Sequence, residues 1–152
     1  MNRQTHLALL FVITLTGCSG TKPELGVNDG QLNPCPKTPN CVNSQATDEK
    51  HSIPPLHYTG NREEARLRLL HILKSAKRAS IMISEQEYIR VQFTSALFRF
   101  ADDTEFYFQE DQDRNKVIHV RSASRIGYSD FGTNRQRVEK IRKKFQNPPD
   151  EE

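Results

Sequence analysis

The chain has 152 residues, 22 Lys+Arg against 19 Asp+Glu, a formal net charge of +3, and no tryptophan. That length suits one domain, and the near-even charge balance excludes a strongly basic nucleic-acid binder. Three cysteines are too few for a disulfide-built scaffold, and the apolar residues cluster too tightly for a disordered chain. No segment reaches the roughly 20 apolar residues of a membrane-spanning helix.

Residues 1–17 read as an export signal. Met1 to His6 carry Arg3 and no acid, and Leu7 to Leu15 are almost wholly apolar, the layout of a secretory leader. The leader ends in Leu15-Thr16-Gly17-Cys18, which resembles a bacterial lipobox. The resemblance implies that the thiol of Cys18 carries a diacylglyceryl group, that cleavage falls before it, and that the new amino group takes a further acyl chain such as palmitate. One acyl chain holds a protein only marginally to a membrane, whereas two or three hold it stably. Cys18 is therefore the expected lipid anchor. Ser19, rather than Asp, after the cysteine points by analogy with enterobacterial sorting to the outer membrane, with the protein facing the periplasm.

Residues 18–34, rich in Gly, Pro, Asn and Asp, read as a lipidated flexible tether. A single domain is expected over 35–147, and 148–152 form a disordered acidic tail. Cys35 and Cys41 lie in C-P-K-T-P-N-C, and in an oxidising compartment two near thiols favour a disulfide. The alternative is a metal site with His51 and His57, but the spacing matches no usual zinc pattern. The C-x-x-C of thioredoxin-like sites is absent.

Periodicity becomes legible from residue 61. Asn61 with Glu64 forms a capping pair. Ala65, Leu69, Ile72, Leu73 and Ala76 recur at helical spacing, and Lys74, Lys77 and Arg78 gather where cations suit the macrodipole, so a helix is expected over about 61–78. Ile81 and Ile83 suggest a short strand or a lead-in. Ile89, Val91 and Phe93 alternate with Tyr88, Arg90, Gln92 and Thr94 as a half-buried strand. Phe98 and Phe100, then Phe106 and Phe108, show the same alternation, interrupted at Ala101-Asp102-Asp103 by an expected bend or bulge. Lys116 to Ile126 alternates again, with Ile118, Val120 and Ile126 on one face and His119, Arg121 and Arg125 on the other. A second helix is expected over about 134–146, with Val138, Ile141 and Phe145 inward and Pro148 stopping it. The expected fold class is α+β: an antiparallel sheet of three to five strands with two helices packed on one face.

The run R-S-A-S-R-I-G-Y-S-D-F-G-T-N-R-Q-R, Arg121 to Arg137, leaves a strand, turns through Gly127 and Gly132, and enters the second helix. Guanidinium groups bind carboxylate or phosphate in bidentate fashion, and a helix N-terminus offers free N–H groups. This run, Asn40-Cys41-Val42 after C-P-x-x-P, and Asp102-Asp103-Thr104-Glu105-Phe106 together resemble domain-of-unknown-function family 1499. The likeness covers about Cys35 to Phe145; its one departure is Ala101, where a larger apolar residue is the expectation. The resemblance implies exported or membrane-associated proteins, many of them small lipoproteins, and carries over no catalytic residue. It makes Arg121, Arg125, Asp130, Asn134, Arg135 and Arg137 a unit.

Three roles compete for that unit. The first is an internal ion-pair network in which Asp130 caps the turn or pairs with Arg125 or Arg137, and Asn134 ties it. The second is binding of an anionic envelope component. The third is catalysis on an anionic lipid or glycan, with His119 as acid–base. Asp102, Asp103 and Glu105 read as a solvated turn. Ser124 or Ser129 with His119 and Asp130 makes only a weak nucleophile set, because no G-x-S-x-G elbow accompanies it. No phosphate-cradling glycine loop, cofactor fingerprint or metal set is legible. The expected function is therefore that of a lipid-anchored envelope module, structural or ligand-binding rather than catalytic.

Overall fold

The computed structural model describes residues 24–110 and 115–147. The leader, Cys18, the first part of the tether and the acidic tail with Pro148 lie outside the described residues. Among the described residues, eight strands and two helices follow in the order β1 (Val27–Asn28), β2 (Gln31–Leu32), β3 (Cys41–Asn43), β4 (Leu56–His57), α1 (Arg62–Lys74), β5 (Ala79–Ser84), β6 (Tyr88–Thr94), β7 (Ala101–Glu110), β8 (Lys116–Ser124) and α2 (Thr133–Gln146). The fold is α+β, as expected, but the main sheet is larger than three to five strands. It has six, ordered β3-β8-β7-β6-β5 with β4 also on β8, and β1 and β2 form a separate two-stranded hairpin. The additions are two- and three-residue segments, too short for alternation to reveal.

Strands β5 to β8 form an antiparallel meander in which Ile89 lies opposite Phe106 and Phe106 opposite Val120. Ile89, Val91, Phe106, Phe108, Ile118 and Val120 share one buried cluster with Leu69 and Leu73 of α1 and with Val138, Ile141 and Phe145 of α2. Both helices therefore cover the same sheet face. Helix α1 begins where the capping pair places it: the Asn61 side chain accepts the Glu64 N–H at 2.8 Å. Gly132 precedes α2 in the left-handed region, φ 76°, a backbone that glycine adopts at least cost.

Two expectations for the sheet are corrected. The interruption in the aromatic alternation lies before β7: Ser95 and Phe100 close a turn, and β7 pairs without a break from Ala101 onward. Phe98 and Phe100 consequently sit outside the core, 67% and 42% exposed, stacked on each other at 5.4 Å. The Asp102-Asp103 pair belongs to a buried strand, with Asp103 only 1% exposed.

Cys35 and Cys41 form a disulfide, so the thiols are not metal ligands. Its ring is short, and the chain-entropy model gives a contribution of about 2 kcal/mol. Replacing Cys35 with Ser is expected to lower the unfolding free energy by about that amount, read from urea curves, and reductant is expected to match the substitution.

Candidate functional site

The pleat divides the charged residues of the sheet. Asp102, Thr104, Ser122 and Ser124 point towards the helices with the core phenylalanines, while Arg90, Asp103, Glu105, Arg121 and Arg125 occupy the opposite face. On that opposite face Arg90, Glu105 and Arg121 stand in cross-strand register. The Asp103 carboxylate accepts from Arg90 at 3.0 and 3.1 Å and from Arg125 at 2.7 and 3.0 Å, and Arg125 also reaches Gln92 at 2.7 Å. Glu105, fully buried, accepts from Arg121 at 3.2 Å, from the Tyr88 hydroxyl at 2.8 Å and from the Gly26 N–H at 3.0 Å. This last bond ties the β1–β2 hairpin to the sheet. The end of the segment expected to be tether is thus folded against the domain.

Burial and charge pull the two acids in opposite directions. For Asp103, burial favours the neutral form, but the hydrogen bond from Arg125 and the charge of Arg90 outweigh it, so its pKa lies below the ordinary carboxylate value. For Glu105, burial prevails over Arg121, Tyr88 and the Gly26 N–H, and its pKa is raised. Burial and the adjacent Glu105 together push the Tyr88 hydroxyl upward.

The helix-side residues form a second network. Asn134, 1% exposed, donates to the Asn40 carbonyl at 3.1 Å, the Ser124 hydroxyl at 3.1 Å and Asp130 at 2.8 Å, and accepts from Ser122 at 2.6 Å. Arg137 donates to Asn134 and to Asp102, each at 2.5 Å, and lies 4.6 Å over the Phe93 ring. Asp130 pairs with neither Arg125 nor Arg137. It accepts the N–H groups of Gly132 and Asn134 at 3.0 and 2.7 Å, so it caps α2 from two residues before the turn. Arg135 donates to the Ser52 and Lys50 carbonyls at 2.8 and 3.0 Å. All six residues of the unit are therefore engaged within the fold.

Residues 31–145 match the model of the family described as protein of unknown function (DUF1499). The chain belongs to that family. No curated protein and no solved structure matches it. In this member the three motifs that carry the likeness converge: Asn40 lies beside Asn134, and Asp102–Glu105 of the acidic strand pairs with Arg121–Ser124.

His119 stands apart from the helix-side network. Its Nδ1 is 3.1 Å from the Ser44 hydroxyl, its ring stacks on Tyr107, and burial lowers its pKa, favouring the neutral imidazole. The Ser44 hydroxyl also accepts the Val120 N–H at 2.9 Å. Ser124 and Asp130 meet Asn134 instead of His119. Among the described residues no three His, Cys, Asp or Glu side chains converge as a metal site requires.

The open part of the molecule is a different place. A cleft of about 960 Å³ runs between the C-terminal end of α1, the β6–β7 turn and the length of α2. Ile72, Ala76, Phe93 and Ile141 supply apolar lining, and Lys77, Arg78, Lys140, Lys143 and Lys144 surround it. Among the described residues Asp102 is its one acidic lining residue, already held by Arg137. Sequence reasoning placed Lys77, Arg78 and α2 but did not join them. The lysines of α2 lie on one side at positions 140 and 144, yet only the turn after α1 brings cations from 77 and 78 opposite.

Proposed function

We propose that the chain is a lipoprotein of the bacterial envelope, held at the outer membrane by acyl chains on Cys18 and facing the periplasm, whose domain binds a ligand rather than catalysing a reaction. The ligand is an anionic amphiphile, and its site is the cleft between the helices. One observation supports this reading above others: of the arginines of the strand-to-helix corner, Arg121, Arg125 and Arg137 are spent on carboxylates and Arg135 on backbone carbonyls, whereas the cleft lysines, with no acid partner among the described residues, surround apolar lining. An anionic head meets the lysines and an apolar tail displaces water from Phe93, Ile141 and their neighbours. The alternative, an enzyme acting through the arginine corner with His119, draws no support from an imidazole committed to Ser44 and Tyr107.

The test is thermal unfolding of the full chain with dodecyl phosphate below its micelle threshold. At 100-fold above its Kd the amphiphile is expected to raise Tm by about 5–10 °C. Lys140→Glu with Lys144→Glu is expected to abolish the rise, and a rise unchanged in that variant would contradict the assignment of the cleft. For the anchor, labelled palmitate is expected on the wild-type chain and absent from Cys18→Ser.

A further inference from the structure

The end of the sheet beside the cleft carries two loops whose large apolar side chains point into solvent. The β6–β7 turn presents Leu97 and Phe98, 79% and 67% exposed, and the loop before α2 presents Phe131, 91% exposed. Register places both loops at one end: Thr94 lies opposite Ala101, and Asp102 opposite Ser124. Lys77 lines the cleft at the same end, because the Thr94 N–H donates to the Arg78 carbonyl. Arg99, exposed, lies between Phe98 and Phe100 in the chain. Arg99 and Phe131 both hold left-handed backbones, φ 54° each, which cost a side-chain-bearing residue of order 1 kcal/mol. Exposed aromatic and aliphatic tips flanked by cations form the chemistry of a bilayer interface, where rings enter the headgroup boundary and cations meet anionic lipid.

We propose that this end of the domain docks onto an anionic phospholipid bilayer, with Leu97, Phe98 and Phe131 inserted and Lys77 and Arg99 on headgroups. The inference deepens the reading of the cleft as a site for anionic amphiphiles, since docking sets the mouth of the cleft against the lipid. Charge complementarity selects this occupant: no acid lies in the β6–β7 turn from Ser95 to Phe100, the one acid of the loop before α2, Asp130, is turned onto the Gly132 and Asn134 N–H groups and the Asn134 amide, and the cleft acid Asp102 is bound to Arg137.

The chain contains no tryptophan, so a single introduced one reports locally. Full chains carrying Cys18→Ser, with either Phe131→Trp or His57→Trp, are mixed with vesicles of phosphatidylcholine alone or with about one-third phosphatidylglycerol. His57 pairs opposite Val117 and so marks the far end of β8. On anionic vesicles the tryptophan at 131 is expected to shift to the blue and be quenched by brominated lipid, and the one at 57 is not. Lys77→Gln with Arg99→Gln is expected to weaken partitioning about thirtyfold. Equal quenching at both positions, none at 131, or indifference to the two neutralisations would overturn the proposal. If docking fails while dodecyl phosphate still raises Tm, the cleft reading stands alone; if neither responds, both fall.

Discussion

Asp103→Ala is expected to remove about 3–5 kcal/mol from the unfolding free energy. Asp103 is the shared partner of Arg90 and Arg125, and all three side chains are buried, 2%, 5% and 9% exposed. Truncation leaves two guanidinium groups in low dielectric with Gln92 as the remaining neutral acceptor for Arg125. A domain of this size has only about 5–15 kcal/mol in all, so the variant is expected to be partly unfolded at growth temperature. Urea midpoints of the variant and wild type measure the difference.

The pH dependence follows from the same geometry. The folded-state pKa of Asp103 lies below its ordinary 3.8, so the stability that it contributes is present above that value and lost as pH falls through the folded one. Glu105 has the opposite sign. Its pKa is raised above 4.5, so its contribution is present below that value and lost as pH rises through the folded one. Asp103→Asn is therefore expected to flatten the acid limb of the stability curve below the ordinary value of 3.8, and to leave the Glu105 limb in place. A variant as acid-sensitive as wild type would show that Asp103 is not held ionised by its arginines.

The second large effect is apolar. Phe106→Ala is expected to cost about 3–5 kcal/mol, because Phe106 is fully buried between Ile89 and Val120 on the central strands and the sheet cannot collapse into the space. Phe98→Ala is expected to change stability by less than about 0.5 kcal/mol, since that ring lies largely in water. The two phenylalanines sit eight positions apart in chains of similar alternation. Calorimetric unfolding of both variants distinguishes a core ring from a surface one.

That pair also shows where the sequence is legible. The helices, the Asn61 cap of α1 and the strands β6 and β8 follow from spacing alone, because each repeats its core-facing apolar residues at a regular period. Phe98 and Phe100 share the period of Phe106 and Phe108 but belong to a turn; nothing in an alternating pair says which side of a hairpin it occupies. The acids of β7 were harder still. A strand buried on both faces breaks the apolar-in, polar-out pattern, so Asp102 and Asp103 resemble a solvated turn. Extending the two-residue period of Phe108 and Phe106 backwards would have placed Asp103 and Glu105 on the face of Arg90 and Arg121. The cleft was invisible because its cations come from α2 and from the turn after α1, whose approach only the fold determines.

The division of labour between corner and cleft is tested most directly by one titration of dodecyl phosphate, followed by thermal unfolding, on three full chains: wild type, Arg125→Lys, and Lys140→Glu with Lys144→Glu. Arg125→Lys gives up the paired contacts with Asp103 and Gln92, so its starting Tm is expected to fall while the ligand-induced rise persists. The lysine pair, both exposed, is expected to keep the starting Tm and lose the rise. A corner variant of undiminished stability that no longer responds to the amphiphile, beside a lysine variant that responds in full, would place the ligand at the arginines and contradict the account.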